Sequence, residues 1–215
     1  MCAAADGPSC AVNNGDCGPD ATCDATGGVI TCTPTTLRVF ITSTMRQGDF
    51  GGVSVANADC QARADAIPAL AGRPFLAWIS DSTTSPSTTF TRGACPYKLV
   101  DDTQVASSYT ALTSGADLDH QINVCEDGGD AVGIGAWTDV DPDGARTTSG
   151  EGGSDCSGWT TNSSGSSGGT GDSDSFSFPF WTVNSQTCDS FVRFYCFEQI
   201  RCPTGKSAVG GSTCV

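Results

Sequence analysis

Apolar and polar positions alternate in two rhythms along this chain, and they begin in earnest at Leu37. LRVFITS (37–43) is rich in β-branched and aromatic residues and predicts a strand. PFLAWIS (74–80), with an inward Trp78, predicts a second strand, and PYKLVD (96–101) a third. IGAWTDV (134–140) and SFVRFYCFEQ (190–199) complete the strand set. In the last, Val192, Phe194 and Cys196 fall on one face, with Phe191, Arg193 and Tyr195 on the other. The period lengthens between Ser54 and Ala66, an Ala-rich stretch of good helix formers that follows the glycine turn Gly51-Gly52 and stops at Pro68. Cys60 and Ala64 share one face of that helix. SSYTALTSG predicts a short helix capped near Ser107. From Asp143 to Phe176 the chain is Gly/Ser/Thr-rich without periodicity, so a long loop is expected, and such loops are functional or stapled. Strands and helices in this mixed order make the expected class α+β.

Composition adds a compartment. The chain has 13 cysteines in 215 residues, a single histidine (His120) and no Cys-x-x-Cys pair. A mixed Cys/His zinc site and a redox motif are therefore disfavoured, and disulfides formed in an oxidising compartment are expected. An odd count leaves one thiol over, and terminal Cys2 is the candidate. Twenty-four acids against 10 bases give a net charge of −14, which argues against nucleic acid and other polyanions. It suits divalent cations and neutral glycans. No apolar run approaches the roughly 20 residues of a membrane span. Met1 leads straight into Cys2 with no leader-like segment, so a secretory signal is expected to have been removed.

The first 33 residues read differently. Cys10, Cys17, Cys23 and Cys32 punctuate turns marked by Asn-Gly and Gly-Gly, and GGVIT predicts a short strand. The string resembles the first four cysteines of an EGF-like module, which implies pairing Cys10 with Cys23 and Cys17 with Cys32. The module's last pair is missing locally, but CPTGKSAVGGSTC at the end, from Cys202 to Cys214, looks like it. Either the large domain is inserted into one EGF-like unit or the C-terminal loop is independent; both imply a Cys202–Cys214 bridge. The expected organisation is 1–33 EGF-like, 34–200 the main domain, and 201–215 a C-terminal disulfide loop.

ADCQARA, FLAWISDS, YTALTSG, AWTDVDPDGAR, DCSGWTT and RFYCFEQ occur in one order across residues 37–199. Together they resemble endostatin, a C-type-lectin-like fold, and more closely a group of secreted bacterial domains. The resemblance implies a disulfide-stapled lectin-like domain with nested bridges Cys60–Cys196 and Cys156–Cys188. Cys95 and Cys125 are extra to that pair and are expected to form a third bridge. Departures limit what carries over. Endostatin's clustered arginines and histidine-rich zinc site have no counterpart. The EPN or QPD and WND triplets of calcium-dependent lectins are absent; DPD at 141–143 and WTVN at 181–184 are distant echoes.

Three carboxylates, Asp139, Asp141 and Asp143, alternate ahead of Gly144 and could converge on calcium, the one cofactor the sequence offers. Position 12 of such a loop is Gly150 rather than Glu151, and Pro142 restricts the backbone, so a solvated turn competes. Glu126, Asp127 and Asp130 form a second acidic cluster. Trp159, Phe180 and Trp181 lie where lectin-like folds display ligand contacts, with core filling as the alternative. Asn162-Ser163-Ser164 is a glycosylation sequon. No nucleophile elbow, phosphate loop or dinucleotide motif marks an enzyme. The expectation is a secreted, non-catalytic recognition module at a bacterial surface or in extracellular matrix, engaging glycan or protein through the long loop. The alternative is a self-assembling subunit of an extracellular filament or surface layer.

Overall fold

A computed structural model describes residues 35–148 and 154–200 in full and, outside them, the backbone of four short strands. Two of those, β1 (Ala21–Asp24) and β2 (Thr31–Pro34), form an antiparallel hairpin with Cys23 opposite Cys32. The EGF-like cysteine pairing expected for Cys10, Cys17, Cys23, Cys32, Cys202 and Cys214 rests on residues outside the described set, as does the fate of Cys2.

The main domain is an α+β structure around a five-stranded sheet. Its strands are β3 (Leu37–Ile41), β4 (Phe75–Ala77), β5 (Tyr97–Leu99), β6 (Gln104–Ala106) and, near the end of the domain, β10 (Tyr195–Glu198). A second, three-stranded antiparallel sheet holds β7 (Ala136–Trp137), β8 (Ser167–Gly171) and β9 (Asn184–Thr187). A last hairpin joins β11 (Ala208–Val209) to β12 (Thr213–Cys214). The five-stranded order is β4-β10-β3-β5-β6, antiparallel except for the parallel pair β3–β5. The first and last strands of the domain are thus neighbours at its centre, with Tyr195 opposite Ile41 and Phe197 opposite Val39.

Period two explains why these strands have two apolar faces. Leu37, Val39, Ile41, Tyr195 and Phe197 enter one core, while Phe40, Phe194 and Cys196 enter the other. A strand buried on both sides reads as an almost unbroken apolar run, as LRVFI does. The second core lies beneath α1 (Val53–Asp65), whose buried positions include Ala56, Cys60 and Ala64. Their spacing of four puts them on one stripe, and their small size lets the helix settle close to the sheet. Close enough, in fact, for Cys60 to bridge Cys196, with Cα atoms 5.5 Å apart. Helix side chains also close the sheet edge. Asn57 Oδ1 accepts from the Ala77 amide and Gln61 Oε1 from the Phe75 amide, both at 2.9 Å. Edge strand β4 therefore presents fewer open donors to another chain. Two single helical turns, α2 (Pro86–Thr89) and α3 (Tyr109–Leu112), complete the set; Ser108 caps α3 by accepting from the Ala111 amide at 3.1 Å.

The second expected bridge, Cys156–Cys188, is also present, with Cα atoms 5.8 Å apart. The expected Cys95–Cys125 bridge is not. Cys125 pairs alongside Ile41 at one end of β3, whereas Cys95 precedes Tyr97, which pairs with Leu37 at the other. Those two levels are about 13 Å apart along the strand, and a disulfide tolerates a Cα separation of no more than about 7 Å. Cys125 is instead a buried thiol, with Arg193 Nη1 3.6 Å from its sulfur. Burial raises its pKa, and the Arg193 charge only partly opposes this.

The expected long loop between Asp143 and Phe176 contains a strand, β8, of sequence SGGTG. Its residues have no apolar period, yet the sheet needs them small. A Cβ on Gly168 would lie 2.7 Å from Cys156 Sγ and 2.8 Å from the Trp137 ring. One on Gly171 would strike the Trp181 carbonyl oxygen. Packing against tryptophans, rather than strand propensity, selects these residues. Strand β6 was likewise not expected ahead of the capped helix.

Candidate functional site

The Asp-x-Asp-x-Asp segment builds a hairpin. Val140 and Arg146 pair antiparallel, the Asp141 amide donates to the Ala145 carbonyl at 2.8 Å, and Gly144, at φ 83°, makes the turn. Gly144 also packs so near Trp78, Tyr109 and Ser87 that a Cβ would lie 3.0 Å from the Tyr109 hydroxyl. This pairing folds Arg146 back over the hairpin's start. Its Nε donates to Asp139 Oδ2 at 3.1 Å, and its Nη2 to Asp155 Oδ2 at 3.1 Å. The three carboxylates diverge: Asp141 accepts from Thr147 Oγ1 at 3.1 Å and Asp143 from the Ala145 amide at 2.9 Å. Among the described residues no group of three or more His, Cys, Asp or Glu could hold a metal ion. Where calcium was expected to join Asp139, Asp141 and Asp143, the cation facing Asp139 is the guanidinium of Arg146.

Asp139 is nevertheless unusual. It lies at φ 52°, its side chain is wholly buried, and its Oδ1 has no hydrogen-bond partner. Burial pushes its pKa up to about 7, against the hydrogen bond and charge of Arg146. Burial also raises Asp141, by less.

The second acidic cluster is a capped turn. Glu126 is buried and accepts from the Ser43 amide at 2.8 Å, while Asp127 accepts from the Gly129 amide at 2.9 Å. His120 Nδ1 sits 2.9 Å from the Gln121 carbonyl oxygen. Asn162 is exposed, with Nδ2 donating to Gln47 Oε1 at 3.4 Å.

Asp155 anchors the next segment. It accepts from Arg146 and, at 2.9 Å, from the Gly158 amide, opening a turn in which Cys156, Ser157, Gly158 and Trp159 all have positive φ. Left-handed backbone costs a non-glycine residue about 1–2 kcal/mol, so three such residues need an external hold. The Cys156–Cys188 bridge supplies one, and Trp159 the other: its ring is buried and its Nε1 donates to the Ser80 carbonyl at 2.8 Å. Trp181 is buried too, 5.2 Å from Trp78 between ring centroids. Both tryptophans are core residues, which corrects their assignment as displayed ligand contacts.

Phe180, the third residue of that set, is exposed. With it stand Phe176 and Phe178, so that 46%, 44% and 56% of Phe176, Phe178 and Phe180 meet solvent. The sequence SFSFPF between β8 and β9 carries all three, and Phe178–Pro179 is a cis peptide. The loop is held from several sides. The Phe178 amide donates to Asp117 Oδ1 and the Leu118 amide to the Phe176 carbonyl, both at 2.8 Å. The Asp172 amide donates to the Phe180 carbonyl at 3.1 Å, Asp172 Oδ1 accepts from the Asp174 amide at 2.9 Å, and Asp174 Oδ2 accepts from Gly133 at 2.8 Å. Val132, beside Gly133, is 63% exposed. Apolar faces are thus presented on a tethered loop among carboxylates. The alternation Phe-x-Phe-x-Phe in a serine background was the signal available in the sequence for this exposed trio.

A separate cleft of about 260 Å³ opens on the α1 side of the sheet, between Ile67, Leu70 and Val100 and the 126–128 turn. Its arginines are engaged: Arg38 with Asp102 at 2.6 Å and Arg73 Nε with Glu198 Oε1 at 2.7 Å. Ligand sites for small molecules run from about 300 Å³ upward.

No protein-family model matches the chain, and no curated protein matches it either. Among the described residues no helix is long and apolar enough to cross a membrane.

Proposed function

We propose that this chain is a secreted, non-catalytic recognition module of C-type-lectin-like, endostatin-like architecture, working at a cell surface or in extracellular matrix. Its binding element is the long loop between Cys156 and Cys188. The observation that carries this reading is the trio Phe176, Phe178 and Phe180, each about half exposed within five residues on a loop tethered at both ends. Exposed apolar groups scattered singly are ordinary, but several gathered on one ordered loop among polar residues mark a contact surface. Two bridges and the pairing of the first and last strands hold the platform rigid, which lowers the ordering cost of binding. The disulfides favour an oxidising compartment, and the lectin-like architecture is supported by the nested bridges and the central position of both end strands.

The test is a binding screen of the full chain on arrays of glycans and of extracellular proteins, run beside a Phe176→Ser/Phe178→Ser/Phe180→Ser variant. Hits that disappear in a variant of unchanged melting behaviour support the reading. Hits that persist in it would place recognition elsewhere.

A further inference from the structure

We infer that the partner of this loop is a basic, amphipathic polypeptide segment, one that carries apolar side chains flanked by lysine or arginine. The inference rests on the proposed recognition role of the loop and adds the chemistry of what it meets.

The charge around the phenylalanines carries it. Asp117, Asp172 and Asp174 each bind the loop or its neighbours through backbone amides: Asp117 to Phe178, Asp172 to Asp174, and Asp174 to Gly133. These contacts fix the carboxylates in place without neutralising them. Among the described residues the ion pairs of Arg38, Arg46, Arg63, Arg73 and Arg146 all lie elsewhere. The loop therefore offers phenylalanine faces set among fixed negative charges that have no cation of their own. A chain with 24 acids and 10 bases surrounds them with further negative field.

Each alternative occupant leaves one half of this surface unanswered. A second copy would set the same three carboxylates against themselves, and like-charge juxtaposition opposes docking. A polyanion would be repelled. A neutral glycan can stack on a phenyl ring, but it leaves the carboxylates unpaired. A segment with apolar residues between cations answers both halves, with the apolar contacts setting the lifetime and the charges the encounter rate and specificity.

The probe is a fluorescent amphipathic peptide of leucine and lysine, titrated with the full chain and read by anisotropy. Two controls match its length: leucine with glutamate, and serine with lysine. Binding of the leucine/lysine peptide is expected to weaken steeply with salt and to exceed both controls by about tenfold or more. Phe176→Ser/Phe178→Ser/Phe180→Ser should weaken it at least about tenfold. Asp117→Asn/Asp172→Asn/Asp174→Asn keeps the amide-accepting oxygens, and should remove most of the salt dependence. Equal binding of the serine/lysine peptide, or no loss in the phenylalanine variant, overturns the inference. So does a concentration-dependent dimer in sedimentation that the phenylalanine variant abolishes, because the occupant is then a second copy. If the peptide fails while an array hit still depends on the phenylalanines, the recognition role stands and the basic partner falls.

Discussion

The guanidinium of Arg146 lies 3.1 Å from a carboxylate oxygen of Asp139 whose side chain is shut off from solvent. This pair, with Asp155 as its second arm, ties the hairpin after β7 to the left-handed turn that begins at Cys156. Removing one partner of a buried pair strands the other. Arg146 is about one-third exposed, which moderates the loss, so Arg146→Leu should destabilise the domain by about 2 kcal/mol at pH 8. At pH 5, where Asp139 can take a proton, the loss should shrink. Urea unfolding at the two pH values measures both; an equal loss at each would mean that packing, and not charge, sets the effect.

Asp139 also gives the wild-type protein a pH signature of defined sign. Its folded pKa is raised to about 7 from 3.8, so between those values the folded state binds the proton that the unfolded state has released. Stability from this group is therefore greatest at low pH and is lost as pH rises through about 7, with a slope of at most about 1.4 kcal/mol per pH unit. Asp139→Asn should flatten the thermal-stability profile between pH 5 and pH 8. Acid unfolding at still lower pH draws on other carboxylates, such as Asp81, whose pKa is lowered because four hydrogen bonds from Thr83 and Thr84 together outweigh its burial.

The two bridges should be separable by what their loss releases. Closing loops with sequence separations of 136 and 32 removes unfolded-chain entropy worth about 5 and about 4 kcal/mol respectively in the chain-entropy treatment, an upper range for measured losses. Cys60→Ala/Cys196→Ala should loosen α1 from the sheet. Cys156→Ala/Cys188→Ala should free the left-handed turn and the loop after it. Hydrogen exchange resolves the two, with faster exchange expected in 53–65 for the first variant and in 155–187 for the second.

Small residues in β8 should tolerate no addition. At Gly171 a methyl group meets the backbone of Trp181, which cannot rotate away. Gly171→Ala is expected to cost about 3 kcal/mol, at the upper end of overpacking losses, measured as a drop in the urea midpoint. Gly52→Ala, with no atom within 4 Å of the added carbon, should cost only the strain of its φ of 105°.

Some of this was written in the chain and some was not. Local pattern determined the strands at Leu37–Ile41 and Tyr195–Glu198, the helix ending before Pro68 and the inward stripe with Cys60, because period and stop signals act between near neighbours. The spans of the two nested bridges followed from a resemblance that the cysteine spacing supported. Tertiary structure alone decided the rest. Whether Trp159 and Trp181 are displayed or buried depends on which backbone passes over them, and β8 provides that cover with residues that show no strand pattern. That Asp139 faces an arginine depends on Arg146 returning across a hairpin. Cys95 and Cys125 stay apart because they lie at opposite ends of β3. In each case the deciding contact joins parts of the chain whose approach is set by packing, and local periodicity carries no record of it.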